Sequence, residues 1–143
     1  MKRTKKRNML LVIDGENISS RKYSRIMETV KEVGELEDSR VYGLQRDART
    51  KGWSDEAKKD NILKDIRLYG GPSKNKVDNK IKRDIRKSVI NNKNIDIVVI
   101  VTSDGDYSDI VENTREKHKK VVVIGEKKAP KKLRDSCTMF VEI

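Results

Sequence analysis

The chain has 143 residues, with 34 lysines and arginines against 23 aspartates and glutamates, so its formal net charge is +11. This length favours one compact domain, and no apolar stretch approaches the roughly 20 residues that cross a bilayer. The N-terminus lacks the apolar region of a secretory signal. One cysteine excludes a disulfide within the chain, and with one histidine it argues against a structural zinc site. We therefore expect a cytoplasmic protein, without a membrane partner, whose charge attracts polyanions.

Short apolar runs alternate with amphipathic stretches along the chain, after a basic arm at residues 1–8 that carries five positive charges. The alternation favours a parallel sheet with helices on both faces, formed by a single α/β domain over residues 9–143. Strands are predicted at residues 9–13, 39–45, 67–69, 95–101, 120–124 and 138–142. Helices are predicted at residues 21–33, 54–66, 76–91, 107–117 and 130–136.

The two strongest predicted strands both end in acidic turns, which begin at Asp14 and near Asp104. Ligands of such sheets bind outside the carboxyl ends of the strands, where the strand order reverses. If these strands are central neighbours, Asp14, Asp104 and Asp106 converge, and their repulsion requires a cation or a shared proton. Carboxylates suit Mg²⁺ or Mn²⁺. The alternative for Asp106 and Asp109 is helix capping.

The predicted helix at 76–91 places two more carboxylates near the core. Its apolar residues recur every four positions from Val77 to Val89, and Asp78 and Asp84 lie in or beside that apolar arc. Asp78, at the start of the helix, can reach the crevice, unless it only pairs with the helix dipole. Asp84 lies about 9 Å further along the axis, so we expect it to act indirectly or structurally.

Basic residues are concentrated in two segments, at 74–87 with a local charge of +5 and at 115–134 with +7. Such a concentration of positive charge is typical of a surface that binds nucleic-acid phosphates. Aromatic residues make up only 4%, which argues against a base-stacking platform. Trp53 either stacks on a base or is buried. The sequence contains neither GxGxxG nor a P-loop, so nucleotide-cofactor functions lack support.

Three motifs together resemble the NYN (LabA-like) family of PIN-like nucleases: Val12–Asn17, Lys76-Val77-Asp78 with Asp84, and Thr102–Tyr107. The resemblance implies a three-layer, PIN-like (Rossmannoid) α/β sandwich with a mainly parallel sheet of order 3-2-1-4-5. It also implies an acidic pocket for Mg²⁺ or Mn²⁺ and endonucleolytic cleavage of RNA. The chain departs from the family pattern where Thr102-Ser103 replaces Ser-Gly and Tyr107 replaces Phe.

Under this resemblance each polar residue of the motifs has an expected role. The divalent ion, one or two in number, is expected on Asp14, Asp78, Asp104 and Asp106, where it activates a water for in-line attack on phosphorus. Asn17 orients a water or the scissile phosphate. Thr102 or Ser103 hydrogen-bonds the carboxylates, and Asp109 either joins the site or stabilises its helix. The RNA phosphates are expected on Lys74, Lys76, Lys80 and Arg83.

Two alternatives remain open at this level. The first is a non-catalytic RNA-binding or regulatory module of the same fold. The acidic residues argue against it, because carboxylates beside the surface that binds RNA would repel its phosphates. The second is a Toprim-type domain, in which Glu16 supplies the acid after the first strand, but this leaves Asn17 and Asp78 without a role.

Overall fold

The computed structural model describes residues 7–44, 47–60, 65–69 and 74–143, with the backbone alone given for residues 60, 65–69 and 74–76. Residues 1–6 of the predicted basic arm lie outside this description. The helices and strands are, in chain order, β1 (Asn8–Asp14), α1 (Tyr23–Val33), β2 (Glu35–Leu44), α2 (Ala48–Asp60), β3 (Asp65–Tyr69), α3 (Lys74–Asn91), β4 (Ile97–Val101), α4 (Ser108–Glu116), β5 (Lys120–Gly125), α5 (Lys131–Ser136) and β6 (Met139–Glu142).

The six strands form one sheet of order β3-β2-β1-β4-β5-β6, and every neighbouring pair is parallel. The predicted order 3-2-1-4-5 is confirmed, and β6 extends the sheet beyond β5. Strands β1 and β4 are central and almost wholly buried, because their apolar runs face helices on both sides. The carboxyl ends of β1 and β4 therefore lie side by side.

Helices cover both faces of the sheet, as predicted. On one face α1 and α2 pack through residues such as Ile26 and Trp53. On the other face α3, α4 and α5 pack through residues such as Ile81, Ile110 and Leu133. Within the described ranges, no helix combines the length and apolar character needed to span a membrane.

The predicted position of the second helix is wrong, because α2 begins at Ala48 and ends at Asp60 instead of covering residues 54–66. The Asp47 side chain accepts a hydrogen bond from the Arg49 N–H at 2.8 Å, which caps the first turn. The helix is anchored by Thr50, Trp53 and Ala57, whose helical spacing buries them against the sheet. This sparse apolar face is hard to detect in so polar a segment.

Two predicted strand boundaries are also wrong. Strand β2 begins at Glu35 and not at residue 39, since its polar first half still pairs with β1 across a register shift between Met9 and Leu10. Strand β4 begins at Ile97 and not at residue 95. Asp96 lies outside the strand, although its N–H and C=O still bind the Asn8 carbonyl and the Lys120 N–H.

Candidate functional site

The crevice lies where the chain changes direction across the sheet. From β1 the chain crosses one face to β2, whereas β4 is followed by α4 on the opposite face. The loops after β1 and β4 therefore leave the sheet in opposite directions, which opens a crevice at the carboxyl ends of these strands. Asp14 is the last residue of β1, and Asp104 follows β4 by three residues.

Three carboxylates converge in this crevice, contributed by two distant parts of the chain. Asp78 comes from the first half of α3, and Asp104 and Asp106 come from the turn after β4. One oxygen from each lies within 4.8 Å of the other two. A cavity of about 330 Å³ is lined by Asp78, Asp106, Asn79 and Lys82.

This oxygen set fits a small divalent cation. Mg²⁺ binds oxygen at about 2.0–2.1 Å, so two ligands on opposite sides of the ion are about 4.2 Å apart. Adjacent ligands of an octahedral ion are about 2.9 Å apart, so the three carboxylates, which lie within 4.8 Å of one another, must close in to bind one ion together. Asp104 is also held in place locally, because its Oδ1 accepts a hydrogen bond from the Asp106 N–H at 2.9 Å.

Asp14 is not a member of this compact group, although it lies close to it. Its carboxyl is 1% exposed and accepts hydrogen bonds from the Glu16 N–H at 3.2 Å and the Tyr107 hydroxyl at 3.1 Å. Burial, and then the charge of Asp78, raise the pKa of Asp14 to about 7, against the opposing effect of its hydrogen bonds. Asp14 therefore holds a proton more readily than an ordinary aspartate does.

The Tyr107 hydroxyl links Asp14 to Asp78. It lies 3.1 Å from Asp14 Oδ2 and 3.0 Å from Asp78 Oδ1, and the tyrosine is fully buried. Burial raises the pKa of the phenol, so it remains neutral and has one proton to donate. Because the single phenol proton serves only one of the two contacts, the other contact requires a protonated carboxyl group. The raised pKa of Asp14 agrees with this.

Asn17 and its neighbours fasten the two acidic loops to each other. Asn17 Oδ1 accepts hydrogen bonds from the Ser103 N–H at 2.7 Å and the Thr102 hydroxyl at 3.4 Å. The Thr102 and Ser103 hydroxyls accept from the N–H groups of Asp104 and Glu126. We expected one of these two hydroxyls to bind the carboxylates; in the structure they bind the main chain and Asn17 instead, because both residues sit where the main chain leaves β4.

Asp109 and Lys82 form an ion pair at the rim of the crevice, with Lys82 Nζ 3.2 Å from Asp109 Oδ1. The Lys82 side chain is only 15% exposed, and its Nζ lies 5.8 Å from the centre of the Tyr107 ring. Asp109 is therefore engaged with Lys82. The ion pair joins α4 to α3, which favours the expected role of Asp109 in stabilising its helix.

The carboxyl groups of Asp84 and Glu16 form hydrogen bonds with residues outside the acidic group. Asp84 Oδ2 accepts a hydrogen bond from the Tyr42 hydroxyl at 2.8 Å, which ties α3 to β2. Glu16 Oε1 accepts from the Leu44 N–H at 2.8 Å and the Thr50 hydroxyl at 3.2 Å, which ties the first loop to β2 and α2. This use of Glu16 argues against the Toprim-type alternative.

The expected phosphate-binding lysines are only partly described. Lys74 and Lys76 lie in the first turn of α3, and their side chains are outside the described residues. Lys80 is half-buried and Arg83 is exposed on the same helix, with Arg83 Nε 3.9 Å from Asp84 Oδ1.

Sequence reasoning missed the roles of Tyr107 and Lys82. Nothing in the sequence indicates the carboxyl groups that the Tyr107 hydroxyl meets. Lys82 lines the crevice. It follows Asp78 by four residues, or about 40° around the helix, and this spacing alone predicts that the two lie on one face.

Comparison with known proteins agrees with this geometry. The family model described as NYN domain matches residues 8–143. A solved structure of a protein of unknown function from Vibrio parahaemolyticus superposes with a TM-score of 0.80 at 20% identity, covering 100% of this chain and 96% of that one. At that identity the likeness establishes the fold alone. No curated protein gives a significant match.

Proposed function

Because the chain belongs to the NYN domain family, a family of PIN-like nucleases, we propose that it is a divalent-metal-dependent endoribonuclease. The observation that carries this proposal is the convergence of Asp78, Asp104 and Asp106 at the carboxyl edge of the sheet. Three carboxylates at this spacing repel one another unless a cation or protons neutralise them.

The proposed cofactor is Mg²⁺ or Mn²⁺, held by Asp78, Asp104 and Asp106, with Asp14 joining once it loses its proton. A bound divalent ion supplies an activated water and neutralises charge on the phosphate under attack. No side-chain nucleophile is needed for this chemistry. Lys82, which lines the same cavity as Asp78 and Asp106, is proposed to contact the scissile phosphate.

The proposed substrate is RNA, and the support for it is electrostatic. The net charge of +11 attracts a polyanion to the whole molecule. Lys74, Lys76, Lys80 and Arg83 are proposed to bind phosphates on either side of the scissile one, and such contacts position a nucleic acid without selecting its sequence. Asn17 is proposed to hold the two acidic loops in register, with its amide left to orient water.

The test is a cleavage assay with labelled single-stranded RNA, double-stranded RNA and DNA, each with Mn²⁺, Mg²⁺ or EDTA. Asp104→Asn should abolish cleavage while RNA binding changes little, because it removes a metal ligand and no phosphate contact. Asp55→Asn is the matched control, since Asp55 is exposed on α2 on the other face of the sheet. Equal cleavage by the wild type and Asp104→Asn would refute the proposal.

A second candidate function, a non-catalytic RNA-binding module, is favoured by one observation. The Tyr107 hydroxyl already joins Asp14 to Asp78, which relieves part of their repulsion without a metal. RNA binding that is unaffected by EDTA, with no cleavage under any metal condition, would support this module over the nuclease.

A further inference from the structure

A cavity at the opposite edge of the sheet is lined mainly by basic side chains. It measures about 640 Å³ and lies at the amino ends of the central strands, before β1, β4 and β5. We call it the amino-edge pocket; its charged lining residues are Arg7, Asp96, Arg115, His118, Lys119 and Lys120. Strand β1 has seven residues, so this pocket is about 20 Å from the acidic crevice.

Two cations of this pocket, Arg115 and Lys119, are held in place by main-chain carbonyl groups. Arg115 Nη1 donates to the Ser136 carbonyl at 2.9 Å, and Lys119 Nζ donates to the Ile95 carbonyl at 2.5 Å. Carbonyl acceptors orient these groups but leave their charge uncompensated. Among the described residues, none of the four Arg and Lys side chains of the pocket has a carboxylate within ion-pair distance.

The acid of the pocket does not offset this charge. Asp96 Oδ2 accepts a hydrogen bond from the Asn8 N–H at 3.2 Å. Four permanent positive charges therefore face one carboxylate, which leaves a net charge of 4 − 1 = +3 before His118 is counted. Such a concentration of fixed cations favours a ligand with more than one negative charge.

His118 adds a conformational observation. Its φ is 65°, the only positive φ of a non-glycine residue among those described, at the turn that follows α4. A residue with positive φ commonly ends a helix, and the His118 N–H donates to the Arg115 carbonyl at 2.9 Å in this turn. The turn places the imidazole in the lining of the pocket, and imidazole rings stack on unpaired bases.

We propose that the amino-edge pocket is a second binding site for the phosphate backbone of RNA, remote from the acidic crevice. Arginine and lysine bind consecutive phosphates without regard to sequence, and His118 is the one ring of the pocket that can stack on a base. This inference rests on the proposed action on RNA, but its test measures binding alone.

The experiment is fluorescence anisotropy with a labelled single-stranded RNA of about 20 nucleotides, in EDTA, over a range of KCl concentrations. The variant Arg7→Gln/Lys120→Gln removes two cations. Each lost phosphate contact lowers the slope of log K against log[salt] by about 0.7 for a single strand, so the slope should fall by about 1.4. The matched control is Arg25→Gln/Lys58→Gln, which removes two exposed charges from α1 and α2. The control should keep the wild-type slope.

Unchanged binding by the pocket variant, or equal losses in both variants, would overturn the inference. Crosslinking of wild-type protein to 4-thiouridine RNA tests it without any substitution. Adducts are expected at residues 117–120, and adducts restricted to α3 and the acidic loops would contradict it. If the slope falls but no RNA is ever cleaved, this inference stands and the proposed nuclease function fails. If cleavage occurs, the pocket variant should raise KM and leave kcat unchanged.

Discussion

Asp14 shows how one buried side chain links the chemistry of the crevice to the stability of the fold. Its pKa is raised to about 7 by burial and by the charge of Asp78, against an ordinary value of 3.8. The folded state therefore binds this proton more tightly than the unfolded chain does. The stabilisation is complete below pH 4 and is lost as the pH rises through 7.

The free energy of unfolding of the metal-free protein should therefore fall as the pH rises from 4 to 7. Asp14 contributes at most about 4 kcal/mol to this fall. Asp14→Asn should remove this part of the slope, because asparagine does not titrate. Urea unfolding in EDTA at several pH values measures the effect. Identical slopes for the two proteins would show that Asp14 does not hold the proton.

Tyr107 provides a second test at the residue scale. Tyr107→Phe deletes the hydroxyl that meets both Asp14 and Asp78, and we expect it to lower the free energy of unfolding by about 1–3 kcal/mol in EDTA at pH 8. It removes no metal ligand, so cleavage should persist and Mn²⁺ should raise the Tm by more than in the wild type.

Tyr42→Phe is the comparison for that experiment, because it deletes a similar phenol–carboxyl hydrogen bond to Asp84, which is not a member of the acidic group. Its Mn²⁺-induced Tm shift should equal that of the wild type. A smaller Mn²⁺ response in Tyr107→Phe than in the wild type would mean that the hydroxyl assists the metal instead of competing with it.

At the scale of elements, α2 depends on Trp53 for its position. The indole is fully buried, stands edge-on to the Tyr23 ring, and its Nε1–H donates to the Ile18 carbonyl at 2.9 Å. The alternative in which Trp53 stacks on an RNA base is therefore wrong. The ring instead joins α2, α1 and the loop after β1, which carries Asn17.

Trp53→Ala should lower the free energy of unfolding by about 3–5 kcal/mol, because it opens a cavity and leaves a buried carbonyl without its donor. Lys58→Ala on the exposed side of the same helix should change it by less than about 0.5 kcal/mol. Chemical denaturation followed by circular dichroism measures both. A loss below about 1 kcal/mol for Trp53→Ala would contradict this account of α2.

At the scale of the whole molecule, the acidic group exists only in the folded state. Asp78 and Asp104 are separated by 26 positions in the chain and meet because α3 packs against β1, β2 and α4. An ion that needs both carboxylates binds the folded protein alone, and therefore stabilises it by mass action.

Mn²⁺ at about 100 times its Kd should raise the free energy of unfolding by about 2.7 kcal/mol. The Tm should rise with the metal concentration and return to its starting value on addition of EDTA. Asp78→Asn should lose most of this response, whereas Asp55→Asn should keep it. Differential scanning fluorimetry measures the response. An equal response in Asp78→Asn would place the metal elsewhere.

The sequence by itself determined the fold class and, through the resemblance of its motifs to the NYN family, implied the strand order. Apolar β-branched runs such as those of β1 and β4 specify buried parallel strands whatever surrounds them, and the acids that follow them are local features of the chain. Asp14, Asp78, Asp104 and Asp106 were predicted as a set from the acidic motifs and the family resemblance. The position of α2 was missed, since its three anchoring residues are recognisable only against the sheet.

Only the tertiary structure decided which side chains contact each other. It separated Asp14 from the compact group of Asp78, Asp104 and Asp106, and it placed the Tyr107 hydroxyl between two of these carboxyls. It also brought Arg7 beside the basic side chains around His118, which lie more than a hundred residues further along the chain. Together these residues form the amino-edge pocket. Burial, pKa and charge density depend on distances between residues that are remote in the chain, and no local pattern encodes those distances.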